Sequence, residues 1–196
     1  MSELFQNKYR VSSTRWQLWN YADVGAYFIT ICTAKKECYF GNIVEDTMQL
    51  SVIGEIASSE WTKTPGLRAD MNLDLGEFIV MPNHFHAIIN IGESEYNKTI
   101  SRRDAMHCVS TEHASNYDTL NVNKFGPQSK NLAAIIRGYK SAVTTWSRKN
   151  NLPFAWQSRY HDHVIRSVDE YYSISNYIIN NPAKWEEDRF FIDHKS

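Results

Sequence analysis

Two apolar runs with strand character, "LDLGEFIVM" and "HFHAIINI", flank Pro82-Asn83, and this pair constrains the fold more than any other feature of the chain. A two-residue connection between strands makes an antiparallel hairpin and sets its register. With Pro82 and Asn83 as the whole loop, Met81 faces His84, Ile79 faces His86 and Glu77 faces Ile88. Side chains alternate across a strand, so Phe85, Ala87, Ile89 and Ile91 line one face and His84, His86, Ile88 and Asn90 the other. The first face belongs to a core. The second presents two imidazoles to a helix or a cleft.

Imidazoles two residues apart on a strand can ligate one divalent metal. The hairpin register sets Glu77 on their face, diagonal to His86 and within reach of a long side chain. Two histidines and a carboxylate leave coordination positions open for water and a phosphate oxygen, which is the arrangement of a catalytic metal site. A slip of one residue would take Glu77 off that face. The chain holds a second such pair, His161 and His163 in "YHDHVI", so the spacing alone does not single out a metal site.

Other elements frame the hairpin. "AYFITICTA" (residues 26–34) and "RYHDHVIRS" are rich in β-branched and aromatic residues and read as two further strands. Between them, residues 52–63 place Ile53, Ile56, Ala57 and Trp61 at helical spacing, and "TPGL" ends that helix. Residues 129–150 form a longer helix with Leu132, Ile135, Ile136, Tyr139, Val143 and Trp146 on one stripe. "VDEYYSISNYIIN" is a last helix, halted by Asn181-Pro182. The mixture predicts one α+β domain with helices packed on an antiparallel sheet. Residues 1–25 read as a basic and aromatic N-terminal arm, 26–185 as the domain, 92–128 as a polar insertion within it, and 186–196 as a C-terminal tail.

Charge is informative only in its distribution. The formal net charge is -1, yet between Ser129 and Arg166 seven Lys or Arg face one acid, Asp162. Three cysteines with no CxxC spacing point to a reducing compartment and away from a disulfide or zinc framework. The absence of a long apolar run excludes a membrane span, and the polar start argues against a secretory leader, so a cytoplasmic location is expected.

The stretches "YFITICTAKKECYFG", "MPNHFHAIINI", "KFGPQSKNLAAIIRGYKSAVTTW" and "FAWQSRYHDHVIRSVDEYYSISNYIINNPAKW" occur in this order. Together they resemble the HUH single-strand transposases of bacterial insertion sequences, in particular the REP-associated tyrosine transposases. The resemblance covers about residues 27–185, and "MPNHFH" and "YIINNP" are its most specific parts. It implies a ferredoxin-like antiparallel sheet with helices on one side. It also implies a divalent metal, Mg2+ or Mn2+, held by His84 and His86 against a scissile phosphate. A tyrosine on a later helix would attack that phosphate, leaving a 5′-phosphotyrosine and a free 3′-OH.

The family pattern puts the nucleophile on the helix after the histidine strand, which gives Tyr139, with Tyr160 of "WQSRY" as the alternative. Better-known members carry a polar metal ligand four residues after the tyrosine. Val143 stands there in this chain, leaving Glu77 or Thr144 to replace it, or a degraded site. For the DNA, Arg137, Lys140, Arg148, Lys149 and Arg159 interleave with aromatic residues, Trp156 among them, so that cations can track phosphates while rings stack on unpaired bases. The resemblance further implies hairpin-forming single-stranded DNA as substrate and a homodimer as the assembly. The expected function is thus metal-dependent cleavage and strand transfer of single-stranded DNA. Two other readings stay open: a non-catalytic or domesticated module that binds single-stranded DNA or RNA, and a metal phosphodiesterase that uses no tyrosine.

Overall fold

A computed structural model describes residues 23–94, 97 and 130–191, together with the backbone of a short strand pair, β1 (Leu4–Phe5) and β2 (Lys8–Tyr9). The expected insertion and N-terminal arm fall almost wholly outside these residues. The central sheet comprises β3 (Gly25–Cys32), β6 (Leu73–Met81), β7 (His84–Ile91) and β8 (His161–Ile165), in the order β6-β7-β3-β8 and antiparallel throughout. Between β3 and β6 lie a small hairpin, β4 (Gly41–Val44) with β5 (Thr47–Leu50), then α1 (Val52–Thr62) and the short α2 (Thr64–Leu67). The helix α3 (Leu132–Lys149) precedes β8, and α4 (Val168–Asn180) follows it. With α1 and α3 on one side of this sheet, the arrangement is the ferredoxin-like α+β one expected from the sequence, to which α4 adds a cover on the other side.

The β6–β7 hairpin has the register its two-residue turn dictates: Met81 opposes His84 and Ile79 opposes His86. On the apolar face, Tyr27, Ile29, Ile31, Phe85, Ala87 and Ile89 are fully buried and pack with Trp61 of α1 and Leu132 and Ile135 of α3. Full burial of such side chains contributes roughly 1.5–3 kcal/mol each before entropy is counted, so this face anchors the fold. Asn131 caps α3 by accepting the Ala134 N–H, as Ser51 caps α1 at Gly54.

The histidine face is covered too, by α4. Ile88, Ile165 and Ile178 pack there with Ala26, Phe28, Ile79, Tyr171 and Ile174. Ser167 caps this helix at the Glu170 N–H, and Asp169 and Glu170 in its first turn favour the positive end of its dipole. Asn181-Pro182 ends it, and the chain continues as a 3-10 turn, Pro182–Glu187.

One local irregularity changes the site. The β6–β7 register shifts between Leu75 and Phe78. A Cβ at Gly76 would collide with the Tyr171 hydroxyl and lie 2.9 Å from Ile88 Cβ, so only glycine fits beneath α4 at that point. Gly76 takes the place on the histidine face that an unbroken register gives to Glu77, and Glu77 is exposed to solvent.

Candidate active site

His84 and His86 stand side by side on β7 with ring centroids 4.5 Å apart, and their exposures are 0% and 1%. Asn83, from the turn, orients the first. Its Nδ2 donates to the carbonyls of Lys36 (3.1 Å) and Phe190 (2.8 Å), so its Oδ1 is left as the acceptor for His84 Nδ1–H at 3.0 Å. His84 Nε2 therefore carries the lone pair. That atom is buried with no hydrogen-bond partner, an arrangement that costs about 1–3 kcal/mol unless a ligand uses it.

His86 is held at Nδ1 by Thr30 Oγ1 (2.9 Å), and Phe28 stacks on its ring at 5.3 Å. Its Nε2 lies 3.2 Å from the hydroxyl of Tyr177, which reaches down from α4. The same hydroxyl donates to Asp188 Oδ2 at 3.3 Å, and Asn181 Nδ2 donates to that oxygen at 3.2 Å. Asp188 Oδ1 accepts the Phe190 N–H at 2.7 Å. Ligand atoms of His84, His86 and Asp188 all lie within 4.8 Å of one another, and among the described residues this is the one His/Cys/Asp/Glu cluster able to hold a metal ion. Phe190 closes over both imidazoles, with ring centroids 4.6 Å from His84 and 6.1 Å from His86.

Burial controls the protonation of the cluster. It drives the His84 pKa well below the ordinary histidine range, and the neighbouring His86 adds to the effect. Burial also lowers His86 to about 4, against the opposing pull of Asp188. Both rings are thus neutral at physiological pH, the form that ligates a cation. Tyr177 is raised by burial and by Asp188, so its hydroxyl remains protonated.

A stability prediction follows for the metal-free protein. The folded state holds His86 at about 4 whereas the unfolded chain titrates near 6.5, so only the unfolded chain takes up this proton in between. Its contribution is complete above pH 6.5 and is lost as pH falls toward 4, by about 3 kcal/mol. Urea unfolding at pH 7 and pH 4.5 measures this, and His86→Gln should narrow the difference, with His84, lowered too, keeping the rest.

No protein-family model matches the chain. An uncharacterized protein of Haemophilus influenzae is 35% identical over 182 residues, which is 92% of this chain and 93% of that one. Among solved structures, a REP-associated tyrosine transposase bound to a REP hairpin superposes with a TM-score of 0.54 at 16% identity, over 89% of this chain and 74% of that chain. The chain belongs to the family of the Haemophilus protein and has the tyrosine-transposase fold.

Within this tyrosine-transposase fold, His84 and His86 occupy one site, but the other residues expected there do not join them. Tyr139 lies across the sheet. It packs on Trp61 and Phe85, each with centroids 5.2 Å away, and Phe85 alternates with the histidines and faces the opposite side. Its hydroxyl is buried without a partner on the side of the sheet away from the histidines, and burial raises its pKa well above the usual value. Tyr160 packs against the same apolar cluster. Glu77 lies exposed at the bulge, and the carboxylate that stands beside the two histidines is that of Asp188.

The basic surface is dispersed as well. Lys140 donates to the Gln157 carbonyl and Trp156 Nε1 donates to the Lys140 carbonyl at 3.1 Å, so both tie the loop before β8 to α3. Arg137, Arg148 and Lys149 are exposed on α3, on the sheet side away from the histidines, and Arg159 is exposed in the loop leading to β8. The second histidine pair lies at the sheet edge, where His163 contacts Glu170 at 2.7 Å. No helix among the described residues is long and apolar enough to cross a membrane.

Tyr139→Phe is accordingly expected to leave stability unchanged or raise it by about 1 kcal/mol, because it removes an unsatisfied buried hydroxyl and keeps the ring. The urea midpoint checks this. A fall of several kcal/mol would show that the hydroxyl has a partner.

Proposed function

We propose that this protein cleaves and rejoins single-stranded DNA at hairpin-forming sequences, with Tyr177 as the nucleophile. The observation that carries the reading is the Tyr177 hydroxyl, 3.2 Å from His86 Nε2 and 3.3 Å from Asp188 Oδ2, at the edge of a cluster suited to a divalent cation. The fold shared with a transposase bound to a REP hairpin supports DNA as the substrate class.

The donor set fits a divalent cation such as Mg2+ or Mn2+: His84 Nε2 is orphaned, His86 is neutral, and Asp188 brings the charge. When bound, the cation neutralises charge that develops on the phosphate oxygens. The residues do the rest. Asn83 and Thr30 fix the imidazole orientations. Tyr177 Oη attacks phosphorus, its proton leaves along the contact to Asp188 Oδ2, the P–O3′ bond breaks, and the 3′ oxygen departs as a hydroxyl after taking up a proton. The 5′ end stays on the tyrosine with its bond energy conserved, so a second 3′-OH can reverse the step without ATP. Entry of a phosphate to His84 requires Phe190 to give way, since it covers both rings. Lys36 and Arg189, whose charges act on His84, are available to a phosphate bound beside it.

Incubation with labelled single-stranded hairpin DNA and Mn2+ should yield an adduct that survives denaturing electrophoresis. Cleavage without adduct would indicate a phosphodiesterase, and binding with neither would indicate a non-catalytic module.

A further inference from the structure

A cavity of about 480 Å3 opens beside Tyr177 and Asp188, between α4 and the 3-10 turn that follows it. Ser173, Asn176, Tyr177 and Asn180 recur at i, i+3, i+4 and i+7 and therefore share one helical face, and all four line this cavity. The candidate nucleophile thus sits in a row of carboxamides. Asn181 and Lys184 complete the wall on the other side.

These groups have unspent hydrogen-bonding capacity. The Asn176 carboxamide makes no hydrogen bond among the described residues. Asn180 Nδ2 donates to the Asn176 carbonyl at 2.7 Å, leaving its Oδ1. Asn181 commits its Nδ2 to Asp188, and its buried Oδ1 has no partner. Lys184 forms no ion pair among the described residues.

We infer that this cavity receives one unpaired nucleotide adjoining the scissile phosphate, with its base read by Asn176 and Asn180 and a phosphate held by Lys184. The inference rests on Tyr177 as nucleophile, because a strand attacked there has a flanking nucleotide within one backbone step of the cavity. Its volume lies in the range of sites for small ligands, too small for a duplex. A carboxamide offers a donor and an acceptor side by side, which match the adjacent edge groups of a base. Adenine, with N7 as acceptor and N6 as donor, suits it best. Lys184, as one cation, serves one phosphate.

The test uses Tyr177→Phe protein, so that no chemistry intervenes, and fluorescein-labelled DNA hairpins whose unpaired flanking positions are each varied through the four bases. Fluorescence anisotropy should show a preference of about tenfold at one position. Adding Asn176→Ala or Asn180→Ala should reduce that preference to about twofold or less, whereas Lys184→Ala should weaken all four bases alike and lower the salt slope by about 1. A preference that survives both asparagine variants, or no preference at any position, overturns the inference. Failure of the tyrosine assignment reads differently: wild-type protein forms no adduct while the asparagine-dependent preference persists.

Discussion

Tyr177→Phe is expected to abolish the proposed covalent attachment to single-stranded DNA, a loss of about a thousandfold or more in adduct yield. The substitution removes one oxygen and keeps the ring, including its edge contact with Phe28 at 6.2 Å. Tyr177 is 43% exposed, so no cavity forms and the fold is retained. What disappears is the group 3.2 Å from His86 Nε2 and 3.3 Å from Asp188. Binding of the DNA hairpin should stay within about threefold, because phosphate and base contacts supply the affinity. Tyr139→Phe should leave adduct yield unchanged, since its hydroxyl is sealed behind Phe85 on the other side of the sheet. An adduct that persists in Tyr177→Phe would sink the assignment.

The contrast between the two tyrosines shows how much the chain discloses by itself. The hairpin was legible because turn length and alternation are local properties: Pro82-Asn83 and the period of two place both histidines on one face, as observed. Tyr139 was legible as a member of the α3 apolar stripe, and the same alternation sends that stripe to Phe85, Ala87 and Ile89. A helix that fills the apolar face cannot also serve the histidine face. The helix that does serve it is α4, and its stripe of Tyr171, Ile174 and Ile178 has Tyr177 at its margin, inside the "YIINNP" stretch. Periodicity shows such a stripe without saying which side of the sheet receives it. The bulge at Gly76 was hidden, because a glycine in a strand marks irregular pairing without giving its register. Asp188 carried no local signal, since it enters only after the chain has turned at Asn181-Pro182 and folded back over the histidines.

Asp188→Ala should weaken Mn2+ binding by about a thousandfold, beyond the 10–100-fold typical of residues that merely orient ligands. The carboxylate is the one anionic group among the three candidate ligands, and two neutral imidazoles alone compensate poorly for the hydration a divalent cation gives up. Glu77→Gln should change affinity by less than about twofold, because an exposed carboxylate at the bulge acts only through screened charge. Isothermal titration calorimetry or the electron spin resonance of free Mn2+ measures both without recourse to activity. The variant separates two roles of the same side chain. Asp188 also accepts from Tyr177 and from the Phe190 N–H, so its loss should loosen Phe190 and expose His84 and His86. Asp188→Asn keeps one acceptor oxygen, enough for the Phe190 N–H that fastens the turn, but removes the charge. If Asp188→Asn binds Mn2+ as tightly as wild type, Asp188 is only a fastener for Phe190. If it falls with Asp188→Ala, the charge is what holds the ion, and the C-terminal turn completes a metal site that β7 begins.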